Sequence, residues 1–196
     1  EKSARGYRKL QPLITQTLQR VSQIAAASTH DADQIKGLCG SLDQLTIVGN
    51  TKFDYQPPDN ATSQIEKIRN SLNFTDRKTW LAASTHSGEE ALILQAHQQV
   101  LKEVPNALLI LVPRHPERFD QVAALCEQAY PTARRSLNQS CSEQIKVYVA
   151  DTMGELALFY GATDAAFVGG SLVAVGGHNL CEAAAYARAP LFGPHM

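Results

Sequence analysis

Residues 108–112 read Leu108-Leu-Ile-Leu-Val112, five apolar side chains in succession near the middle of the chain. A strand that is apolar at every position is expected where both faces of a sheet are covered, as in parallel sheets. Similar apolar runs recur on both sides of this segment, and amphipathic helical patterns lie between most of them. The alternation predicts an α/β fold with a doubly wound parallel sheet.

The bounds of the other predicted elements follow from the same patterns. Strands are predicted at 22–26, 45–48, 80–83, 107–112, 145–149, 165–168 and 190–192. Helices are predicted at 31–38, 63–72, 87–104, 116–129, 152–160 and 179–188, and a helical repeat opens the chain. Residues 131–144 are polar and predict a surface loop, and the Pro-Pro-Asp-Asn sequence at 57–60 is the best linker candidate.

The composition limits the class of protein. A chain of 196 residues suits one large domain, or one domain with part of another. A net charge of −1 without a basic stripe argues against nucleic acid as a partner. Four distant cysteines without a C-x-x-C pair indicate reduced thiols rather than disulfides or a zinc site. Since no apolar run approaches the roughly 20 residues that cross a bilayer, we expect this chain to be soluble.

Both ends of the chain interrupt a structural pattern. Glu1 lies at the start of a helical repeat, and Met196 follows shortly after a predicted strand. Natural domains seldom stop directly after a core strand, because the neighbouring elements would lack cover. We therefore expect the sequence to be part of a longer protein.

A glycine-rich turn follows the predicted strand at 165–168. Glycine pairs at 169–170 and 176–177 precede His178 and a helix expected to begin at Asn179. Backbone N–H groups at such a turn bind phosphate, and glycines allow a ligand to reach the main chain. The spacing of Asn179 and Glu182 also suits an ordinary helix start, but that explanation leaves the glycines and His178 unexplained. We predict an anion site here, with Glu182 able to meet a ribose.

The turn after strand 80–83 is also polar. Ser87 and Glu90 have the spacing of a capping box, which by itself requires nothing else of this turn. The preceding Ser84, Thr85 and His86 add two hydroxyls and an imidazole at the end of a strand. Because ligands bind at the carboxyl ends of parallel strands, these three residues are candidate ligand contacts.

The turn after strand 107–112 carries Arg114 and His115 between two prolines. A solvated turn is one explanation of this sequence. The other is an anion clamp, because a guanidinium matches the geometry of a phosphate or carboxylate. Its position at a strand end favours the anion clamp.

The turn after strand 145–149 contains Met153 and Gly154. Thr152 and Glu155 again have the spacing of a capping box, which accounts for those two residues. A glycine in a first helical turn costs about 1 kcal/mol relative to alanine, so Gly154 calls for another explanation. A flat base packed against the backbone is one such explanation, with Met153 either an apolar contact for that base or an ordinary core residue.

Several other chemistries lack their sequence signatures. The chain has no dinucleotide fingerprint, no P-loop motif and no Gly-x-Ser-x-Gly nucleophile turn. Its six histidines show no metal-ligand spacing. We interpret His97, inside the predicted helix 87–104, as a partly buried or surface histidine rather than a ligand.

Six segments occur in the same order in the 3-deoxy-D-manno-octulosonic acid (Kdo) transferases of Gram-negative lipopolysaccharide synthesis. The chain resembles that family over essentially its whole length, and residues 49–54 also resemble it. The segments are Ala83-Ser-Thr-His-Ser-Gly-Glu-Glu90, Leu109-Ile-Leu-Val-Pro-Arg-His-Pro-Glu-Arg-Phe119, Asp151-Thr-Met-Gly-Glu-Leu156, Phe167-Val-Gly-Gly-Ser-Leu172, Gly176-Gly-His-Asn179 and Phe192-Gly-Pro-His195.

The resemblance implies one half of a GT-B glycosyltransferase, a fold of two Rossmann-like domains. Residues 1–50 resemble the end of the N-terminal acceptor domain with the linker region. Residues 51–196 resemble the CMP-Kdo-binding domain, truncated at its C-terminus. The family's membrane anchor and catalytic-base carboxylate belong to N-terminal segments not found among these residues, so no catalytic residue is assigned here. We expect this chain to bind nucleotide without turnover.

The resemblance also implies a mechanism and a set of binding residues. A hydroxyl of a lipid A precursor attacks the anomeric carbon of Kdo and displaces CMP with inversion. Fixed cations and amides would stabilise the departing phosphate without a metal ion or other cofactor. The donor phosphate and sugar would be bound by Ser84, Thr85, His86, Arg114, His115, Gly176, Gly177, His178 and Asn179. The nucleoside would be bound by Met153, Gly154, Glu155 and Glu182.

Two positions depart from the family pattern. Val175 stands where a basic residue is expected, which removes a phosphate contact. Leu180 stands where proline is usual, which reduces the pre-organisation of the helix start.

The resemblance further implies that the full-length protein lies at the cytoplasmic face of the inner membrane. Its partners would be CMP-Kdo, the lipid A precursor and, through its N-terminal region, the membrane. Two alternatives stay open. The first is another GT-B transferase or a sugar-nucleotide epimerase that uses a uridine nucleotide, and the second is a non-catalytic nucleotide-binding module.

Overall fold

The computed structural model describes residues 6–40 and 42–196. Its chain divides into two compact units, Glu1–Tyr55 and Gln56–Met196. The division falls after Tyr55, close to the predicted domain boundary after residue 50 and just before the predicted linker at 57–60. The first residues of the predicted opening helix lie outside the described residues. No helix within the described ranges is both long and apolar enough to span a membrane.

The first unit pairs two short strands in parallel. Its elements are α1 (Gln11–Gln19), β1 (Ile24–Ala26), α2 (Thr29–Cys39) and β2 (Leu45–Ile47), followed by a 3₁₀ turn at Thr51–Asp54. Ile24 lies opposite Leu45, and Ala26 lies opposite Ile47. Helix α2 begins at Thr29 because the Ser28 side chain accepts a hydrogen bond from the Asp31 N–H. The predicted strands 22–26 and 45–48 and the helix 31–38 are confirmed with small shifts in their bounds.

The second unit is a six-stranded sheet with helices between its strands. The strands are β3 (Thr79–Thr85), β4 (Leu108–Pro113), β5 (Thr132–Arg134), β6 (Val147–Val149), β7 (Ala165–Val168) and β8 (Pro190–Leu191). The helices are α3 (Ala61–Ser71), α4 (Glu89–Glu103), α5 (Phe119–Ala129), α6 (Leu156–Ala162) and α7 (Cys181–Ala185). A 3₁₀ turn at Pro116–Arg118 leads into α5.

The sheet has the strand order β5-β6-β4-β3-β7-β8, and every neighbouring pair is parallel. The chain moves outward from β3 to β4, and after β6 it crosses to β7 on the other side of β3. The strand order therefore reverses next to β3. Doubly wound sheets bind ligands at the carboxyl edge of such a switch point.

Strand β4 shows why the sheet is covered on both faces. Leu108, Ile110 and Val112 pack with residues of α3, α6 and α7 in one apolar cluster. Leu109 and Leu111 pack with residues of α4 and α5 in a second cluster on the opposite face. All five side chains are buried. The predicted doubly wound parallel sheet is confirmed.

Several element bounds were predicted incorrectly. Residues 131–144, predicted as a loop, contain the edge strand β5, which was hidden because only Ala133 of its three residues is buried. The predicted helix 152–160 begins only at Leu156 in α6, because Gly154 has a φ of +87°, which a right-handed helix does not contain. The predicted helix 179–188 is reduced to the five residues of α7.

His97 lies inside α4 and is completely buried, not at the surface. The Trp80 indole N–H donates to its Nδ1 at 3.0 Å, and its Nε2 lies 3.0 Å from the Lys146 carbonyl oxygen. This arrangement selects the neutral tautomer with the proton on Nε2, because Nδ1 must accept. Burial lowers the pKa of His97 to about 4.

The buried His97 predicts a pH-dependent stability of the second unit. Its pKa is about 4 in the folded chain against 6.5 ordinarily, so below pH 6.5 only the unfolded chain takes up the proton. The contribution of neutral His97 to the free energy of unfolding is complete above pH 6.5. It falls by about 3 kcal/mol as the pH decreases to about 4. Urea unfolding at several pH values should show a clearly smaller loss for His97→Gln, whose amide keeps one acceptor and one donor. An equal pH dependence in both proteins would contradict this assignment.

Candidate functional site

A cavity of about 250 Å³ lies at the carboxyl edge of the second unit's sheet. The carboxyl end of β3 and the turns after β4, β6 and β7 contribute to it. Its lining residues are Ser84, Val112, Pro113, Arg114, Thr152, Met153, Gly154, Leu156, Tyr160, His178, Asn179 and Glu182. Four strand ends that are far apart in sequence therefore meet in one place, as the sequence predicts.

Most of the predicted contact residues line this cavity. The seven that do so are Ser84, Arg114, Met153, Gly154, His178, Asn179 and Glu182. Those that do not line it are Thr85, His86, His115, Gly176, Gly177 and Glu155. Sequence reasoning missed Thr152, Leu156 and Tyr160 as lining residues, since each is an ordinary polar or apolar residue near a helix start or inside a helix.

Arg114 provides a free positive charge at the cavity. Its backbone N–H donates to the Thr85 carbonyl oxygen at 3.0 Å, which ties the turn after β4 to the end of β3. Its guanidinium is exposed and pairs with no side chain in the part of the chain that the structure describes. Arg118 and Arg135, by contrast, are bonded to carboxylates. An unpaired guanidinium beside a cavity is suited to an anionic ligand.

The end of β3 is irregular, and this turns Ser84 toward the cavity. The pairing of β3 with β4 shifts between Ala83 and Thr85, which is a β-bulge. Ser84 has a φ of +53°, in the left-handed region that side chains seldom adopt. Thr85, predicted as a ligand contact, is instead completely buried, and its carbonyl oxygen supports Arg114.

Three histidines form a cluster beside the cavity, and two of them, His86 and His178, are stacked. The Nε2 atoms of His86 and His178 lie 2.8 Å apart, so one carries the proton and the other accepts it. The His115 ring meets His86 edge-on at 5.2 Å between centroids. Burial lowers the pKa of His86, and His115 lowers it further. Burial also lowers the pKa of His178, with His86 and Arg114 adding to the effect. His178 lines the cavity, and His86 supports it from behind.

The glycine turn after β7 differs from the predicted phosphate cradle. Gly176 and Gly177 have φ values of +103° and +71°, which favour glycine. The Gly177 N–H donates to the Gly170 carbonyl oxygen at 2.8 Å, so this amide is already used within the protein. The helix begins at Cys181 rather than at Asn179, and the Asn179 side-chain oxygen accepts from the Cys181 N–H. The turn thus places His178 and Asn179 at the cavity, and at least the Gly177 amide of the predicted cradle is used within the protein.

Glu155 has a structural partner in place of the predicted nucleoside contact. Its carboxylate accepts hydrogen bonds from the Arg135 guanidinium at 2.7–3.2 Å and from the Thr152 hydroxyl. The hydrogen bonds from Arg135 are the largest cause that lowers the pKa of Glu155. These contacts hold the turn in which Gly154 has a φ of +87° and Met153 is 64% exposed.

Glu89 was not predicted from the sequence and is central to the site's construction. Its buried carboxylate accepts hydrogen bonds from four backbone N–H groups, those of His86, Gly170, Ser171 and Leu172. The predicted capping box of Ser87 with Glu90 is wrong, because Gly88 precedes the helix and Glu90 pairs with Arg118. The two adjacent glutamates at the start of α4 were the available signal in the sequence. The capping-box spacing pointed to Glu90, whereas Glu89 is the glutamate that binds the backbone N–H groups.

Three comparisons with known proteins place the chain among its relatives. A sequence model of the family "3-Deoxy-D-manno-octulosonic-acid transferase (kdotransferase)" matches residues 1–55. A 3-deoxy-D-manno-octulosonic acid transferase of Haemophilus influenzae is 41% identical over 195 residues, 99% of this chain and 45% of that protein. A probable mitochondrial 3-deoxy-D-manno-octulosonic acid transferase of Arabidopsis thaliana is 34% identical over 95% of this chain and 43% of that protein.

One solved structure resembles this chain in both sequence and architecture. It is the C-terminal CMP-Kdo binding domain of WaaA from Acinetobacter baumannii, with 39% identity and a TM-score of 0.65. The match covers 69% of this chain and 71% of that domain. The chain spans somewhat less than half the length of the two transferases above.

The histidine cluster gives a test of the site's electrostatics. Arg114 is one of the charges that lower the pKa of His178 and, more weakly, of His86, after burial. We expect Arg114→Gln to raise the pKa of His178, and that of His86 to a smaller degree, because a nearby positive charge is lost. An NMR titration of the imidazole resonances measures both values. His97 is the internal control, since Arg114 is not among the causes of its shift. Unchanged values for His178 would show that Arg114 lies too far from it.

Proposed function

Because the chain belongs to the 3-deoxy-D-manno-octulosonic acid transferase family, we propose that its second unit binds the donor CMP-Kdo. The observation that carries this proposal is the unpaired Arg114 guanidinium, which shares one cavity with the Glu182 carboxylate. A cation for a phosphate and a carboxylate for sugar hydroxyls suit the phosphate and the ribose of a ribonucleotide. The related Acinetobacter domain is described as a CMP-Kdo binding domain, which supports the choice of ligand.

The lining residues suggest a division of the ligand among the turns. Arg114 would bind the phosphate, and Glu182 would accept hydrogen bonds from the ribose hydroxyls. The exposed Met153 with Gly154 would lie against the cytosine, because Gly154 leaves the backbone open. Ser84 and His178 would face the phosphate or the sugar.

We propose an inverting transfer for the whole enzyme. A hydroxyl of a lipid A precursor would attack the anomeric carbon of Kdo, and the bond to the CMP phosphate would break. Negative charge then develops on the departing phosphate, where the Arg114 guanidinium would stabilise it. The general base is assigned to no residue of this chain, and we place it in the acceptor domain.

The proposal also covers the need for a metal ion and the place in the cell where the whole protein acts. Since Arg114 supplies a fixed positive charge, we propose that donor binding needs no metal ion or other cofactor. We further propose that the whole protein acts in lipopolysaccharide biosynthesis at the cytoplasmic face of the inner membrane of a Gram-negative bacterium, where an amphiphilic lipid A precursor would be available.

The phosphate role of Arg114 can be tested by removing its charge. We expect Arg114→Gln to weaken CMP binding about tenfold to a hundredfold, because a hydrogen bond to a charged group contributes about 1.5–3 kcal/mol. Isothermal calorimetry in the presence of EDTA measures this and tests metal independence at the same time. Lys102→Gln is the matched control, since it removes one positive charge from the exposed end of α4. Equal affinity of wild type and Arg114→Gln would refute the phosphate assignment.

The ribose role of Glu182 can be tested with a ligand that lacks one hydroxyl. Wild-type protein should bind CMP more tightly than 2′-deoxy-CMP, because the deoxy ligand lacks the 2′-hydroxyl that would donate a hydrogen bond to the Glu182 carboxylate. Glu182→Gln should weaken CMP binding about tenfold and reduce the difference between the two ligands. Arg114→Gln should weaken both ligands alike.

The same titrations separate the alternatives. A uridine-nucleotide enzyme would bind UDP more tightly than CMP in competition. If Glu182→Gln preserved the preference for CMP over 2′-deoxy-CMP, the ribose contact would have to come from another residue.

A further inference from the structure

We propose that Glu89 is a positioning residue of the donor site, whose buried carboxylate determines where His178 stands in the cavity. The inference rests on the proposed function only for the identity of the ligand. Glu89 itself does not line the cavity, so it would act through the backbone that it holds.

The carboxylate joins two turns that belong to neighbouring strands. Its Oε2 accepts from the His86 N–H at 2.8 Å, in the turn after β3, and from the Gly170 N–H at 2.7 Å, in the turn after β7. Its Oε1 accepts from Ser171 and Leu172 at 3.0 and 2.9 Å. Both oxygens therefore accept two hydrogen bonds each, which uses the acceptor capacity of a carboxylate.

Both histidines of the stacked pair are held by this carboxylate. His86 is held directly through its own backbone N–H. His178 is held through the turn, because the Gly170 carbonyl oxygen accepts the N–H of Gly177, the residue before it. The 2.8 Å contact between the two imidazoles thus has Glu89 as the common support of both its members.

The surrounding backbone leaves Glu89 little freedom. A Cβ on Gly169 would lie 2.6 Å from the Ser84 carbonyl oxygen and 2.9 Å from Glu89 Oε2. Glu89 is completely buried, and a buried carboxylate is costly unless its oxygens are satisfied. A group with fewer acceptors would leave at least one of the four amides without a partner, and the turn would move.

Glu90 is the matched control. It is the next residue of α4, it is almost as buried as Glu89, and its carboxylate pairs with Arg118. It makes no hydrogen bond to the turn at 170–172 among the described residues. Removing the charge of Glu90 therefore perturbs the start of α4 and leaves the hydrogen bonds to the turn at 170–172 intact.

The experiment compares Glu89→Gln with Glu90→Gln. In Glu89→Gln, an NH₂ group faces two backbone N–H donors, so we expect faster amide exchange at Gly170–Leu172 and shifted imidazole ¹⁵N resonances for His86 and His178. CMP affinity should fall about tenfold, as for the loss of about one hydrogen bond. Glu90→Gln should lower the melting temperature but leave CMP affinity within about twofold and the His178 resonances in place, because Arg118, the partner of Glu90, acts on His86 but not on His178.

Each outcome decides a separate point. A folded Glu89→Gln that keeps wild-type CMP affinity, or a Glu90→Gln that loses as much, overturns the positioning role. If wild-type protein fails to bind CMP, the proposed ligand is wrong, and the exchange and imidazole measurements still decide whether Glu89 holds the pair. If Glu89→Gln does not fold, the wild-type spectrum decides. CMP should then shift the amides of Gly170–Leu172, which do not line the cavity, and their failure to move would overturn the coupling.

Discussion

The central strands β3 and β4 are buried on both faces, and this constraint determines where function can lie. Leu109 and Ile110 point to opposite apolar layers, so neither face of the sheet offers a place for a charged ligand. Polar groups can meet a ligand only where the strands end. Because the strands are parallel, their carboxyl ends lie at one edge, and turns far apart in sequence converge there.

The charged groups around this edge fall into three kinds. Arg135 bonds to Glu155, and Arg118 bonds to Glu90, so their charges are neutralised and shape the turns. Arg114 has no such partner in the described residues and remains available to a ligand. Glu89 is a third case, since backbone amides rather than cations satisfy it. A charged side chain that already has a partner within the protein shapes the turns, and one without a partner is available to bind a ligand.

Much of this architecture could be predicted from the sequence, and the exceptions have physical reasons. Buried strands such as β4 can be recognised in the sequence because every residue is apolar. The edge strand β5 buries one side chain and therefore shows no apolar pattern. Convergence of Arg114, His178 and Glu182 follows from topology and was predicted. Which oxygen satisfies which amide does not follow from spacing, so Glu155 was placed at the ligand and Glu89 was overlooked. Local motifs specify helix starts, but the partner of a buried carboxylate depends on the packed tertiary structure.

The backbone conformation of Ser84 lowers the stability of the folded chain, although the residue contributes to the site. A side chain other than glycine in the left-handed region costs about 1 kcal/mol or more, and Ser84 adopts a φ of +53°. Glycine would relieve this cost at once, yet it would also remove the hydroxyl from the cavity wall. A laboratory selection for heat resistance alone would therefore favour loss of this serine. Retaining it requires that the selection also demand ligand binding.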